Sequence, residues 1–592
     1  MSASFDLSSL AARYAAGDAA TDVIRDVYQR IKADSSSAVW ISIVEEEVAV
    51  ERVRSAPRGP LYGIPFAVKD NINVAGLPTT CACPAFAHVP ARSATVVERL
   101  EAAGAIVIGK TNLDQFATGL VGTRSPYGIP RNAFDPDFIS GGSSSGSAVA
   151  VAKGFVSFAL GTDTAGSGRV PAGFNNLVGL KPTKGLVSTR GVVPACRSLD
   201  VVSIFALTSS DAARVLEVAG GFDTDDAFSR AAPGIGSPPV VGKLRIGIPA
   251  GELEFFGDKE YARLFDEATA RAASLGFEIV PIDFRPFCEA ARLLYSGPWV
   301  AERLAAIKDF ATRVPDALHD VVGRIILGAK ELSAVGAFEG LYRLAELTRA
   351  AEAEWSKMDV LMLPTSGTVY RVDELLADPI QLNSNLGTYT NFVNLMDLSA
   401  LAVPQGFRAD GLPFGVTLIG RAFDDPRLAQ IGDRLHRALG DVTVGATTTA
   451  LASLPAVAPH EDNVQCIKVA VVGAHLTGQP LHWQLTERKA RYCGAARTAE
   501  GYRFYALANT TPAKPGLVFD GKGEGLIEVE IWEMDQAAFG SFVALIPAPL
   551  GIGTLRLEDG SSVKGFICES HATEGAIEIT RFGGWRNWLN RP

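Results

Sequence analysis

The sequence predicts an α/β protein followed by a smaller, strand-rich domain, and three observations carry this. Helical and strand periodicities alternate along the first three quarters of the chain, which calls for a sheet with covered faces. The stretch at 445–460, GATTTALASLPAVAPH, is Ala, Thr and Pro without a period and reads as a linker. Beyond it, strand patterns dominate. At 592 residues the chain exceeds one ordinary core, so two or three domains are expected. The boundaries drawn are 1–445 for the first domain, 446–462 for the linker and 463–592 for the second domain.

Taken in order, residues 6–32 read as two helices, with Leu7, Leu10, Ala11 and Tyr14 on one face and Val23, Ile24, Val27 and Ile31 on another. Strands are expected at 38–43 and 64–69, then a helix at 95–103 that ends at Gly104, and a strand at 105–109. The segment 112–128 starts helical and becomes a loop, 145–155 is a helix after a glycine turn, and 156–160 is a buried strand. A surface loop at 224–242 precedes a strand at 244–248. Long helical patterns occupy 259–275, 287–314 and 334–357, the second interrupted at Gly297-Pro298. Strands follow at 360–363 and 402–403, and 404–420 reads as a hairpin turning at Asp410-Gly411. In the tail, strands are expected at 467–472, 502–507, 517–519, 525–531, 553–557 and 562–568, enough for one core of ordinary size. No internal repeat is seen.

Composition narrows the function classes. Hydrophobic residues make up 47% and charged residues 20%, the balance of a soluble globular chain. A net charge of −10 argues against a nucleic-acid partner. The seven cysteines are scattered, Cys81 and Cys83 are too close to favour a bridge, and no Cys/His cluster has zinc spacing. Reduced thiols in a cytoplasmic protein without a metal site are expected. The N-terminus lacks a cationic start and an apolar run, so no signal peptide is indicated. No apolar run of about 18–20 residues exists, so no membrane helix is expected.

The chemistry concentrates at 140–182, SGGSSSGSAVAVAKGFVSFALGTDTAGSGRVPAGFNNLVGLKP. A solvated Gly/Ser linker would not carry AVAVA or FVSFAL. Glycines here allow close backbone approach, and serines supply hydroxyls and N–H donors. A nucleophilic serine needs a base, and the usual base is histidine. Between Val89 and Leu318 the chain has none. Lysine is the next candidate. Lys69 ends a strand-like run in PLYGIPFAVKDNINVAG, and burial there favours the neutral amine.

These residues resemble the amidase signature family, whose triad is a lysine, a serine in a cis peptide within GGSSxG, and a nucleophilic serine in GTDxxGS. The matching positions are Lys69, Ser143 in GGSSSGS and Ser167 in GTDTAGS, and the flanking PxxVKDN, GKTN and GLKPT also match. Ala165 stands where many members have glycine. The resemblance implies an amidase signature fold, a mixed sheet covered by helices. It also implies that neutral Lys69 takes a proton from Ser143, which takes one from Ser167. Backbone N–H groups of Thr164, Ala165, Gly166 and Ser167 would meet the oxyanion. Deprotonating an ordinary lysine at neutral pH costs roughly 4–5 kcal/mol, and burial can supply a shift of that size.

Within the family the chain most resembles the allophanate hydrolases. FATGLVGTRSPYG at 116–128, GTDTAGSGRVPA at 161–172 and YSGPWVAER at 295–303 carry this. The substrate implied is allophanate, a urea bearing a carboxylate. Arg303 is placed on that carboxylate, with Tyr295 adding a hydrogen bond. Gly119 and Arg169 complete the binding set, Arg169 standing for the site or its scaffolding. From spacing alone, Arg303 reads as a helix-surface salt bridge, and only the resemblance gives it the substrate role. The product would be ammonia and N-carboxycarbamate, which then loses carbon dioxide.

The tail resembles the C-terminal domain of full-length allophanate hydrolases, itself similar to the γ-glutamylcyclotransferase fold. VAVVGAHLTGQPLHWQL at 469–485 and VKGFICE at 563–569 carry this. A small α+β, β-barrel-like domain assisting decarboxylation is implied, with His475 binding an anionic intermediate and Glu569 exchanging protons. A purely structural tail, serving dimerisation or assembly, stays open. So do a related amidase acting on a malonamate- or biuret-type amide and a binding component of a urea-processing assembly. The resemblance further implies no cofactor, a cytoplasmic homodimer and functional coupling to a urea carboxylase. Two rival motifs compete with the triad: Gly142–Gly146 as a G-x-S-x-G elbow with Ser144 central and His319 or His436 as base, and Ser561 with Lys564 as S-x-x-K. The first lacks a hydrophobic strand before it, and the second sits on a hairpin tip.

Overall fold

The computed structural model describes residues 5–34, 38–232, 243–457, 466–488, 490–508, 510–523 and 526–591. Residues 233–242 of the loop expected at 224–242, residues 458–462 of the expected linker and the first residue of the strand expected at 525–531 lie outside them. The chain divides into two units, 1–461 and 462–592.

The first unit is an eleven-stranded mixed sheet covered by helices. Its strands are β1 (Trp40–Ile43), β2 (Pro65–Lys69), β3 (Ile106–Thr111), β4 (Phe158–Asp163), β5 (Val178–Lys181) and β6 (Val201–Ala206). They continue with β7 (Arg245–Pro249), β8 (Glu278–Ile282), β9 (Val360–Pro364), β10 (Ser399–Phe407) and β11 (Pro413–Gly420). The order across the sheet is β1-β3-β2-β4-β6-β5-β10-β11-β9-β7-β8. β2 runs parallel to both β3 and β4, and β4 pairs antiparallel with β6. Strands buried on both faces read as near-continuous apolar runs, as PFAV before Lys69 and VVSIFA do. The rings of Phe66 and Phe158 stack at 5.0 Å and tie β2 to β4.

The helix Ser145–Ala152, SGSAVAVA, is buried along its whole length. Its small side chains let it lie close against the sheet, with the glycine turn 141–144 at its start. That places Ser143 beside the ends of β2 and β4. β4 starts two residues later than the pattern suggests and runs on to Asp163, so Thr162 and Asp163 belong to the sheet and the turn that carries Ser167 begins at its end.

Several expectations need correction. The segment after Asn112 forms no α-helix. It makes one 3-10 turn, Gln115–Ala117, in which Phe116 and Ala117 take positive φ of 50° and 52°. The pattern at 287–314 is two helices, Arg285–Ser296 and Trp299–Arg313, because proline lacks the N–H a continuous helix would need. The described part of the expected linker, 446–457, is packed rather than free. Leu451 and Thr447 are each 1% exposed, and Ala446 N–H donates to the Ala152 carbonyl at 2.8 Å. Strands β5 and β6 give no period-two signal, since short runs buried on both faces do not alternate. The hairpin β10–β11 turns at Asp410-Gly411, where Gly411 has φ of 86°.

The second unit is a small α+β fold with two sheets. Its strands are β12 (Cys466–Val471), β13 (Arg491–Arg497), β14 (Tyr502–Ala506), β15 (Pro515–Phe519), β16 (Glu528–Asp535), β17 (Leu550–Arg556), β18 (Ser562–Cys568) and β19 (Ile577–Glu578). The sheets are β13-β16-β12-β18-β17 and β15-β14-β19. Val469, Phe504, Leu517, Phe542 and Leu555 sit at its core. No helix among the described residues is long and apolar enough to cross a membrane, and the seven cysteines are unbridged.

Candidate active site

Lys69 is the last residue of β2 and is fully buried. Its Nζ donates to Ser143 Oγ at 2.7 Å and to Thr162 Oγ1 at 2.8 Å. The adjacent Asp70 is no counter-ion for it. That carboxylate is held by Lys110 at 2.9 Å, both side chains fully buried. Burial therefore dominates at Lys69 and lowers its pKa from 10.5 to about 7, although Asp114, Asp200 and Asp163 pull the other way. Ser143 follows a cis peptide bond to Gly142. A Cβ at Gly142 would lie 2.2 Å from Asp114 Oδ2 and 2.6 Å from Gly122 N, so only glycine fits.

Ser167 sits in the turn after β4, 3% exposed. Its Oγ donates to the Gly119 carbonyl at 3.4 Å, which is its one hydrogen bond among the described residues. Asp163 organises the turn. Its carboxylate accepts from Gly166 N–H at 2.9 Å and Gly168 N–H at 3.0 Å. It also takes a bidentate pair from Arg169 Nε and Nη2 at 2.9 and 3.0 Å. Burial pushes the Asp163 carboxyl up, but Arg169 outweighs it and holds the group below its ordinary value.

Two site expectations change here. Gly166 N–H is engaged by Asp163, which leaves the N–H groups of Thr164, Ala165 and Ser167 for an oxyanion. Arg169 is fully buried, and its contacts to Asp163 and the Thr390 carbonyl tie it to the turn that carries Ser167. Thr164 Oγ1 donates to Asp200, whose carboxyl burial raises to about 6.

Arg303 is 2% exposed and makes only long contacts. Nη1 donates to the Ala117 carbonyl at 3.4 Å and Thr118 Oγ1 at 3.3 Å, and Nη2 to Tyr295 Oη at 3.5 Å. Its Nε has no partner, and no carboxylate pairs with it among the described residues. The helix break at Gly297-Pro298 still brings Tyr295 beside it, the guanidinium 5.3 Å from the ring centroid. The expected helix-surface salt bridge is absent among the described residues.

Sequence reasoning does not single out Thr162 or Arg124. Thr162 stands inside the quoted GTDTAGS and is the second acceptor for Lys69. Arg124, 1% exposed, donates from Nη1 to the Thr118 carbonyl at 2.9 Å and from Nη2 to the Pro379 carbonyl at 2.7 Å. Arg124 thus holds the 117–119 segment, whose Gly119 carbonyl faces Ser167, while Arg303 touches it only at long range. No pattern marks Arg124, because its Pro379 contact spans 255 positions.

The rival motifs close. Ser144 Oγ is tied to the backbone of Thr162, donating to its carbonyl at 3.2 Å and accepting from its N–H at 3.3 Å. His319 caps the helix Asp320–Gly328, and burial lowers the His436 pKa to about 3. Ser561 Oγ donates to Asp559 at 2.6 Å in the turn where Gly560 has φ of 84°.

In the second unit, His475 follows β12 and lines a pocket with Lys514, Gln484 and Phe566. Its Nε2 is 2.9 Å from Gln484 Oε1. Glu569 does not join it. The end of β18 leaves that side chain 62% exposed and 3.2 Å from His571, outside the pocket lining.

Residues 22–429 match the amidase family, and residues 467–590 match the allophanate hydrolase C-terminal domain. A urea amidolyase of Saccharomyces cerevisiae is 46% identical over 93% of this chain and 31% of its own length. The chain spans about a third of the length of the curated urea amidolyases it matches. A glutamyl-tRNA(Gln) amidotransferase component from Symbiobacterium thermophilum is 40% identical over 63% of this chain and 82% of its own. Among solved structures, an allophanate hydrolase of Kluyveromyces lactis is 43% identical, covers 99% of this chain and 98% of its own, and superposes with a TM-score of 0.76.

Proposed function

Since the chain belongs to the amidase family and carries an allophanate hydrolase C-terminal domain, we propose that it hydrolyses allophanate to ammonia and carbon dioxide or bicarbonate. The observation that carries the substrate is Arg303, a buried guanidinium without a carboxylate partner among the described residues. A buried charge left unpaired is costly, and the carboxylate of a small substrate would satisfy it. Tyr295 Oη, in contact with the same guanidinium, adds a hydroxyl.

In this reading Lys69, about half neutral near pH 7, accepts a proton from Ser143 as Ser143 accepts one from Ser167. Ser167 Oγ then attacks the terminal amide carbon, and the N–H groups of Thr164, Ala165 and Ser167 stabilise the oxyanion. The proton returns through Ser143 to the leaving nitrogen, which departs as ammonia. Water, deprotonated by the same relay, cleaves the acyl-enzyme and leaves N-carboxycarbamate. The second unit assists its decarboxylation, with His475 in the binding pocket.

The protein is read as a cytoplasmic homodimer coupled in function to a urea carboxylase that supplies allophanate. The exposed apolar side chains Val335, Phe338 and Tyr342 along the helix Ala334–Trp355, 58–68% exposed, support self-association. The greater length of the urea amidolyase relatives supports the coupling.

The deciding experiment compares ammonia release from allophanate by the wild type and Ser167→Ala. Rapid release by the first and none by the second is expected. Release that survives Ser167→Ala overturns the mechanism, and a wild type that cleaves simple amides but not allophanate overturns the substrate.

A further inference from the structure

The second unit holds a cavity of about 180 Å³, of a size for a small molecule rather than a peptide. Its lining contains one fixed cation, Lys514, and no carboxylate. No acidic side chain among the described residues pairs with that ammonium. Val472, Pro515, Leu550 and Phe566 supply the apolar part of the wall, and a charge seated against them interacts more strongly than in open water. The segment bearing Lys514 is pinned by its own backbone N–H, which donates to Thr510 Oγ1 at 2.9 Å.

His475 faces the same space with a defined polarity. Its ring stacks on Phe566 at 5.0 Å, and Nε2 lies 2.9 Å from Gln484 Oε1. With Gln484 Oε1 as its partner, the neutral ring carries its proton on Nε2 and offers Nδ1 as an acceptor. Burial lowers the His475 pKa, and the Lys514 charge acts in the same direction, which keeps the ring neutral. The turn presenting it is tied down by a buried carboxylate. Glu530 Oε2 accepts from Thr477 N–H at 2.8 Å and Thr477 Oγ1 at 2.9 Å, and Arg586 holds Glu530 Oε1 at 2.7 Å.

We propose that Lys514 and His475 are the recognition pair of this pocket, Lys514 binding a carboxylate and His475 Nδ1 accepting from an N–H beside it. The acceptor selects an anion with an N–H beside its carboxylate, as N-carboxycarbamate has, over a dicarboxylate of similar size that lacks one. This rests on the allophanate reading for the origin of the ligand, since the first site's product is a carbamate.

The test uses the full chain carrying Ser167→Ala, with 13Cε1-labelled histidine and the His475 signal assigned by His475→Gln. Oxamate, a carboxylate with a neighbouring N–H, is titrated against malonate, which has two carboxylates and no N–H. Oxamate should move the His475 signal saturably, with malonate binding about tenfold more weakly. Lys514→Gln should lose about tenfold or more in oxamate affinity, and Lys514→Arg should restore most of it. An unmoved His475 signal, or wild-type affinity in Lys514→Gln, overturns the proposal. Malonate binding as tightly as oxamate overturns the role given to His475. Wild-type ammonia release from allophanate is measured in parallel. If it is absent while Lys514-dependent oxamate binding persists, the allophanate reading fails and this one stands. The reverse pattern sinks this one alone.

Discussion

Lys69 Nζ lies 2.7 Å from Ser143 Oγ with both side chains fully buried, and no carboxylate intervenes because Asp70 is held by Lys110. The amine is thus poised to lose its proton near neutrality, at about 7 against an ordinary 10.5. Protonation removes the base, so activity falls as pH drops. The value of kcat/KM for amide hydrolysis should rise about tenfold per pH unit below pH 7 and level off above it. A profile that stays flat down to roughly pH 5.5 would remove Lys69 from the base role.

Thr162 Oγ1, 2.8 Å from the same nitrogen, accepts a hydrogen bond that favours the charged amine. Thr162→Val keeps the volume and deletes that acceptor. The acidic limb of the profile should move to lower pH, and kcat should fall roughly 10- to 100-fold as Lys69 loses its alignment, worth about 1.5–3 kcal/mol. A drop in kcat with an unmoved limb would mean that the threonine only packs.

Arg303 should divide substrates by charge. Removing one partner of a buried charge pair costs about 2–5 kcal/mol, so Arg303→Ala should lose roughly 30- to several-thousand-fold in kcat/KM on a carboxylate-bearing amide. A neutral amide of similar size should lose little. Equal losses on both would end the carboxylate assignment. Arg303→Lys should recover only part, because an ammonium cannot make the bidentate contact.

The legibility of this chain follows the range of its contacts. Lys69, Ser143 and Ser167 stand in local motifs, and a strand end and a glycine turn carry their own signals. Arg169 lies in the same motif, yet sequence does not show that Asp163 and the Thr390 carbonyl, 221 positions away, hold it. The N–H of Gly166 reads as a free donor for the same reason, since sequence does not show which amide a carboxylate will claim. Strands β5 and β6 stay hidden because burial on both faces erases alternation. The described part of the expected linker misleads because Leu451 and Leu454 pack onto the first unit from a segment without a period. Lys514 is invisible in sequence, as nothing local marks a lysine that faces a cavity rather than solvent.

Two glutamates of the second unit test the reading of its pocket from opposite sides. Glu569, exposed and outside the lining, should be replaceable by Gln with no change in melting temperature or carbon dioxide release. Glu530 is 5% exposed and accepts from Thr477, Trp532 and Arg586. Burial pushes its carboxyl up, but these donors prevail and hold it below the ordinary 4.5. A carboxylate with a depressed folded value adds stability above its unfolded pKa and loses it as pH falls through the folded one. Glu530→Gln should therefore destabilise the second unit by about 1.5–3 kcal/mol at neutral pH, and by less in acid, where the wild type has also lost its charge. The same variant should disturb the His475 signal through Thr477 and slow carbon dioxide release, leaving ammonia release at the first site unchanged. Differential scanning calorimetry at pH 7 and in acid, with both gases assayed, measures each part. A Glu530→Gln protein as stable as wild type, with an unshifted His475 signal, would show that the turn is held by something other than this carboxylate.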